Sequence, residues 1–318
     1  MSTKKYNIAI LGLGAVGGYY GAKLASHYAN SNEVEITFIT RGENAQAIKT
    51  NGIKLITPDG ELFAHPNTLI DNSPLTINNW QIIPRTIDLL ILSTKSYDLE
   101  ASLQTLKEFI TPNTIILPLL NGVDAKERIQ KLLPTAQVWE GCVYIVSRLT
   151  APGVIQVTGT NNVLHIGSEH ANQATMEHVH TLLKSAGINI HLAENITQKM
   201  WEKYLFISPL ATITSYTNQT VGPIVQNRDL FALFLALFDE LFAISGQLKI
   251  QLPSDTKEKI ITRINSLSPE ITSSMHSDFQ KHSRNELDTL TGYIVRTGER
   301  LGVPTPTYNT MYTLLLNR

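Results

Sequence analysis

An open, doubly wound α/β domain followed by an all-helical one is the architecture this sequence predicts, and three observations predict it. A short apolar run near the start, Tyr6 to Leu11, ends in Gly12-Leu13-Gly14-Ala15-Val16-Gly17 and passes directly into a helical pattern. Apolar runs that read as strands then alternate with helical patterns up to about residue 194. From residue 195 onwards every periodic segment reads as helix. Strands alternating with helices mark a parallel sheet with helices packed on its faces. A chain of 318 residues is long for one compact core, so two domains, 1–194 and 195–318, are expected.

The glycine turn is the first functional signal. Gly-x-Gly-x-x-Gly between a strand and a helix is the fingerprint of a Rossmann-type dinucleotide-binding unit. Gly12 permits the tight turn, Gly14 lets a pyrophosphate approach the backbone, and Gly17 lets the helix pack closely on the strand. The helix then offers its unpaired N–H groups and positive dipole to the phosphates. Gly12, Leu13, Gly14, Ala15, Val16 and Gly17 are therefore candidate cofactor contacts; the competing reading is a bare structural turn.

The second strand is expected over residues 34–40, and Arg41 follows it. An Asp or Glu at this place would accept from a free ribose 2′-hydroxyl and select NAD. A cation suits a 2′-phosphate instead, so Arg41 points to NADPH. The competing reading is a solvated arginine opening the helix expected over 43–51. Residues 53–62 read as a hairpin around Pro58-Asp59-Gly60, and a loop rich in Asn and Pro comes next. Residues 87–93 are a nearly continuous apolar run, typical of a central parallel strand. Lys95 stands just past its carboxyl end, where ligands of open α/β sheets bind. A further strand over 114–120 ends in Asn121-Gly122 at the same edge; its competing reading is a simple Asn-Gly turn. A helix over 124–133 follows. Residues 138–166 are β-rich, with Ala151-Pro152-Gly153 as a turn. A helix over 174–186 and a strand over 188–192 close the domain, and Asn195 or Thr197 suits the cap of the next helix.

Helices are expected over 197–216, 229–246, 254–265, 286–301 and 308–315. The second of these is apolar nearly all round, from Leu230 and Phe231 to Leu241 and Phe242, and such a helix must be buried. It forms either the centre of its domain or part of a subunit contact, so a monomer and a homodimer both remain open.

Composition narrows the field. Hydrophobic residues are 42% and charged residues 17%, as in a globular protein with a generous core. With 26 basic against 27 acidic residues the net charge is −1, which leaves no basic footprint for nucleic acid. The opening residues lead into the first strand without a signal-peptide core, and no apolar run is long enough to span a membrane. Cys142 is the only cysteine, which excludes an internal disulfide and points to a reducing cytoplasm. Cysteine and histidine show no metal-ligand spacing, so no metal is expected.

Taken jointly, several blocks resemble the ketopantoate reductase (2-dehydropantoate 2-reductase) family. They are Ile10 to Gly21, Thr40-Arg41-Gly42, Ser93-Thr94-Lys95-Ser96-Tyr97, Leu120-Asn121-Gly122-Val123, Trp201-Glu202-Lys203-Tyr204, Ser273-Ser274-Met275-His276-Ser277-Asp278, and Asn285-Glu286-Leu287-Asp288 with Thr289 to Gly292. The resemblance implies NADPH-dependent reduction of ketopantoate, a small 2-keto acid, to pantoate on the way to pantothenate and coenzyme A. It implies Lys203 as the catalytic lysine, Glu286 as its carboxylate partner and Ser274 as a substrate contact. Lys95 and Asn121 would lie near the nicotinamide and the reacting groups, with Asn121 also meeting substrate. Hydride addition to a ketone builds negative charge on oxygen, and an ammonium both stabilises that charge and supplies the proton. The chain departs from the family at Ile207 and Ala211, one and two turns after Lys203, and at Ile271, where the family carries asparagines. Two alternatives therefore stay open: a related reductase of a more apolar 2-keto acid, and a non-catalytic NADPH-binding sensor.

Overall fold

The computed structural model describes residues 5–73, 86–160 and 162–318. Part of the Asn- and Pro-rich loop, residues 74–85, and the opening residues 1–4 lie outside the described residues. The chain forms two compact units, one of Met1–Leu120 with Ala125–Ile196 and the other of Asn121–Asp124 with Thr197–Arg318.

The first unit begins β1 (Tyr6–Leu11), α1 (Ala15–His27), β2 (Val34–Thr40), α2 (Gly42–Asn51), β3 (Ile53–Thr57), β4 (Gly60–Ala64), β5 (Thr68–Asp71) and β6 (Leu89–Leu92). It continues through α3 (Leu99–Gln104), β7 (Ile115–Pro118), α4 (Ala125–Leu132), β8 (Gln137–Val138), β9 (Glu140–Tyr144), β10 (Ser147–Ala151), β11 (Val154–Val157), β12 (Val163–Gly167), α5 (Gln173–Ser185) and β13 (Ile190–Leu192). Six strands pair in the order β5-β2-β1-β6-β7-β8, all parallel. That is the doubly wound order, and it reverses between β1 and β6, the place where such sheets bind ligands.

Burial explains why β1 and β6 are continuous apolar runs. Ile8, Ile10 and Leu89 pack into one core with α1, while Ala9, Leu11, Leu90 and Leu92 pack into another with α3 and α4 residues such as Leu99 and Ile129. A strand covered on both faces has no solvent side to be polar on. The β-rich stretch forms two further sheets, β10-β11-β3-β4 and β13-β12-β9. Ile155 of β11 and Ile53 of β3 share the α1 core. The strand β5 was not legible as one, because its four residues carry only Leu69 and Ile70 as apolar signal.

The second unit consists of α6 (Ile196–Thr217), α7 (Val221–Gln226), α8 (Arg228–Gln247), α9 (Thr256–Asn265), α10 (Ser274–Gln280), α11 (Tyr293–Leu301) and α12 (Pro306–Leu316). A π-helical turn, Asp288–Gly292, leads into α11. The all-round apolar pattern of α8 does not translate into all-round burial. Phe234, Leu237, Phe238, Leu241 and Ile244 are in the core, but Phe242 is 41% exposed. The outer rings stack on inner ones, Phe242 on Phe238 and Phe231 on Phe234, so apolar side chains shield one another without a second layer above them. No helix among the described residues is long and apolar enough to cross a membrane.

Candidate active site

The glycine turn leaves β1 in the conformation its sequence demands. Gly12 has φ +92°, a region that favours glycine, and a Cβ there would stand 2.9 Å from the backbone of Ser93 and Thr94. A Cβ at Gly17 would fall 2.0 Å from the Gly12 carbonyl oxygen and 2.1 Å from Ser93 Oγ, so the close packing of α1 on the turn requires glycine. At Gly14 a Cβ would meet nothing within 4 Å, which leaves open space over that backbone. Gly14 is also the cap of α1 and no side chain caps the helix, so its first N–H groups remain available to an anion. Thr94 Oγ1, at the carboxyl end of β6, is buried without a hydrogen-bond partner. These features fit a dinucleotide phosphate. Asn44 fastens the turn from outside: its Nδ2 donates to the Leu13 carbonyl at 2.9 Å, and its Oδ1 accepts from Gly153 N at 2.7 Å.

Arg41 caps α2 at the end of β2, and its Nη2 donates to Asp98 Oδ2 at 2.8 Å. Lys95 is exposed and precedes the short helical turn Ser96–Asp98. Ala15 and Val16 are half-buried in the first turn of α1.

In the helical unit, Lys203 and Asn121 meet. Lys203 Nζ donates to Asn121 Oδ1 at 3.0 Å in half-buried surroundings. Asn121 therefore belongs with the lysine, and its Asn-Gly turn does more than reverse the chain. Gly122 has φ +99°, and a Cβ there would stand 2.5 Å from the Thr289 methyl group, so the turn closes directly on the π-helical segment. Glu286 is buried, 6% exposed, and heads that segment: its carbonyl accepts from Thr289 N and Leu290 N at 3.1 and 2.9 Å. Ser274 is the exposed first residue of α10, while Ser273 is the cap that accepts from His276 N at 3.0 Å. Ile207 is half-buried against the helical core, but Ala211 is inside it at 2% exposure. Of the two apolar replacements on α6, only Ile207 is left partly open.

Hydroxyls spaced one helical turn apart on α6 hold the π-helical segment. Tyr204 donates to the Thr289 carbonyl at 2.7 Å, Ser208 Oγ to the Leu290 carbonyl at 2.6 Å, and Thr212 Oγ1 bonds Thr291 Oγ1 at 2.8 Å. Burial pushes the Tyr204 hydroxyl well above its ordinary range, so it stays a donor. On the other side, Asp288 is held by Arg296 Nη1 at 2.6 Å and by the Tyr312 hydroxyl at 3.0 Å. π-helical turns are frequent at functional sites, and this one begins two residues after Glu286. Ser208 also bonds the Tyr308 hydroxyl at 2.7 Å and is fully buried. Ser208→Ala should thus strand a carbonyl and a phenol and cost about 1–3 kcal/mol. Urea unfolding checks it, and an unchanged midpoint would show that water takes over both bonds.

Among the described residues no group of three or more His, Cys, Asp or Glu side chains is placed to hold a metal ion. Residues 8–170 match the family model described as ketopantoate reductase PanE/ApbA, and residues 195–318 match the C-terminal model of the same family. The chain belongs to the ketopantoate reductase family. The crystal structure of 2-dehydropantoate 2-reductase from Porphyromonas gingivalis is 32% identical, with a TM-score of 0.82 over 98% of this chain and 100% of that one. The 2-dehydropantoate 2-reductase of Streptococcus pyogenes is 26% identical over 312 residues, 98% of this chain and 96% of its own. D-mandelate dehydrogenase, in a ternary structure with NADH and anilino(oxo)acetate, shares the fold at a TM-score of 0.84 and 24% identity, over 98% and 97% of the two chains. A ketopantoate reductase of this family is an oxidoreductase with a parallel-sheet nucleotide-type domain and a helical C-terminal domain, as found here.

Proposed function

We propose that this family member is an NADPH-dependent 2-keto acid reductase that converts ketopantoate to pantoate, a step towards pantothenate and coenzyme A. The observation that carries the reading is the hydrogen bond from Lys203 Nζ to Asn121 Oδ1, which fixes an ammonium on α6 beside a turn closed on the Glu286 segment. A reduced nicotinamide nucleotide held by Gly12, Leu13, Gly14, Ala15, Val16 and Gly17 would supply the hydride. Addition to the keto carbon leaves charge on oxygen, which Lys203 neutralises by giving up a proton. Asn121 accepts from the ammonium and keeps it oriented. Glu286 is proposed as the carboxylate partner of Lys203, Ser274 as a hydroxyl for the substrate, and Lys95 as a residue that would meet the nicotinamide side of a bound nucleotide.

A second reading, reduction of a more apolar 2-keto acid, is favoured by Ile207, which carries no hydrogen-bonding group. A nucleotide sensor needs neither Lys203 nor Glu286. Oxidation of NADPH followed against a panel of 2-keto acids, ketopantoate included, separates the three. Turnover of ketopantoate supports the proposal, turnover of apolar acids alone supports the second reading, and nucleotide binding without turnover leaves the sensor.

For the cofactor, Arg41 is proposed to meet the 2′-phosphate. A charge-assisted bond contributes about 1.5–3 kcal/mol when shielded, but the Arg41 side chain is 62% exposed, which calls for a discount. Arg41→Ala should therefore weaken NADPH by about tenfold and leave NADH within about twofold. Fluorescence titration measures both, and undiminished NADPH affinity in the variant would remove Arg41 from the site.

A further inference from the structure

Arg41, the residue proposed to meet a 2′-phosphate, already has an anionic partner. Its Nη2 donates to Asp98 Oδ2 at 2.8 Å, across 57 residues of sequence. The topology makes this meeting possible. β2 and β6 flank β1 in the parallel sheet, so Arg41 past the end of β2 and Asp98 in the turn after β6 arrive on either side of the glycine turn.

The pair is unequal in two ways. The arginine side chain is 62% exposed and the aspartate 18%, so water screens the positive charge far more than the negative one. The contact is also a single hydrogen bond, not the bidentate fork that would lock a guanidinium in one orientation. Asp98 is thus a poor device for aiming Arg41 and an effective competitor for it. A phosphomonoester, with a charge of about −1.5 to −2 near pH 7, must share the guanidinium with this carboxylate. A ribose 2′-hydroxyl brings no charge and needs an acceptor, which a carboxylate is.

We infer that Asp98 is a specificity-determining residue that holds down the preference for NADPH by competing for Arg41, so that NADH remains a usable cofactor. The inference rests on the glycine turn being a nucleotide site. Asp98 stands at the start of α3 without a side-chain capping bond, so an amide there removes charge and breaks no cap.

The test is equilibrium titration of the parent, Asp98→Asn, Arg41→Ala and the double variant with NADPH and with NADH. Asp98→Asn should tighten NADPH by about fivefold and leave NADH no tighter. With Arg41 replaced by Ala, the same change should gain less than about twofold. Weaker or unchanged NADPH binding in Asp98→Asn would overturn the inference and show that the pair pre-positions Arg41. An equal gain for both nucleotides, or a full gain without Arg41, would overturn it as well. Asp98→Ser serves as a second variant, judged by the same outcomes, should the amide not fold. A parent that binds neither nucleotide defeats the reading of the glycine turn and the inference together, whereas binding of both with no response at Asp98 defeats the inference alone.

Discussion

Lys203→Ala should lower kcat by about 10²–10⁴-fold, the range for losing a positioned proton donor, while NADPH binds nearly as before. The separation is expected because a proton donor acts on the substrate oxygen, whereas the proposed nucleotide contacts are Gly12 to Gly17 and Arg41. Truncation also leaves Asn121 Oδ1 without the ammonium it accepts from at 3.0 Å. That loss is local, since the oxygen is only part-buried and water can replace its donor. Lys203→Arg is the informative companion. It keeps a cation and hydrogen-bond donors, but an arginine does not release its proton in proteins. If proton donation matters, Arg should fail almost as badly as Ala; if charge alone matters, Arg should recover most of the rate. Single-turnover oxidation of NADPH with ketopantoate gives the comparison, and parent-like turnover in the Ala variant would remove Lys203 from the chemistry.

Elements that bury a strong pattern were legible in the sequence. The strand expected over 34–40 is found as Val34–Thr40, and the turn at Ala151-Pro152-Gly153 joins β10 to β11. Both rest on short-range rules, alternation or continuity of apolar residues and the geometry of Gly and Pro. What escaped has no short-range signal. The π-helical turn Asp288–Gly292 interrupts an otherwise helical run without any change of apolar period, and only its partners Tyr204, Ser208 and Thr212 on α6 reveal why it is stable. α10 is seven residues long and mostly polar, so no apolar period marks a helix at Ser274 in the sequence. Asp98 became relevant only once the sheet order brought it to Arg41. The identity of Lys203 as a candidate came through resemblance to a family; its hydrogen bond to Asn121, 82 residues away, is information only the fold supplies.

Substrate preference is where the departures from the family should be felt. Ile207 stands one turn after Lys203 on α6 and is half-buried, where the family carries an asparagine. A substrate hydroxyl placed against it would lose water without gaining a partner, at about 1–3 kcal/mol. An apolar contact is also a weak discriminator against an added hydroxyl, about a hundredfold at most. Ketopantoate should therefore be reduced with kcat/KM no higher than that for the branched 2-keto acid lacking its terminal hydroxyl. Ile207→Asn should move the ratio towards ketopantoate by about ten- to a hundredfold. Ala211→Asn is not an equivalent test: at 2% exposure the amide would enter the core and cost stability first. A parent that prefers ketopantoate by more than about a thousandfold exceeds what an apolar contact permits, and another donor would have to serve. The carbonyl oxygens of Asn218 and Asn285 already accept from His276 Nε2 and Leu287 N, at 2.9 and 3.1 Å. Their amide nitrogens are then the groups to replace, and Asn218→Ala and Asn285→Ala would show which one carries the preference.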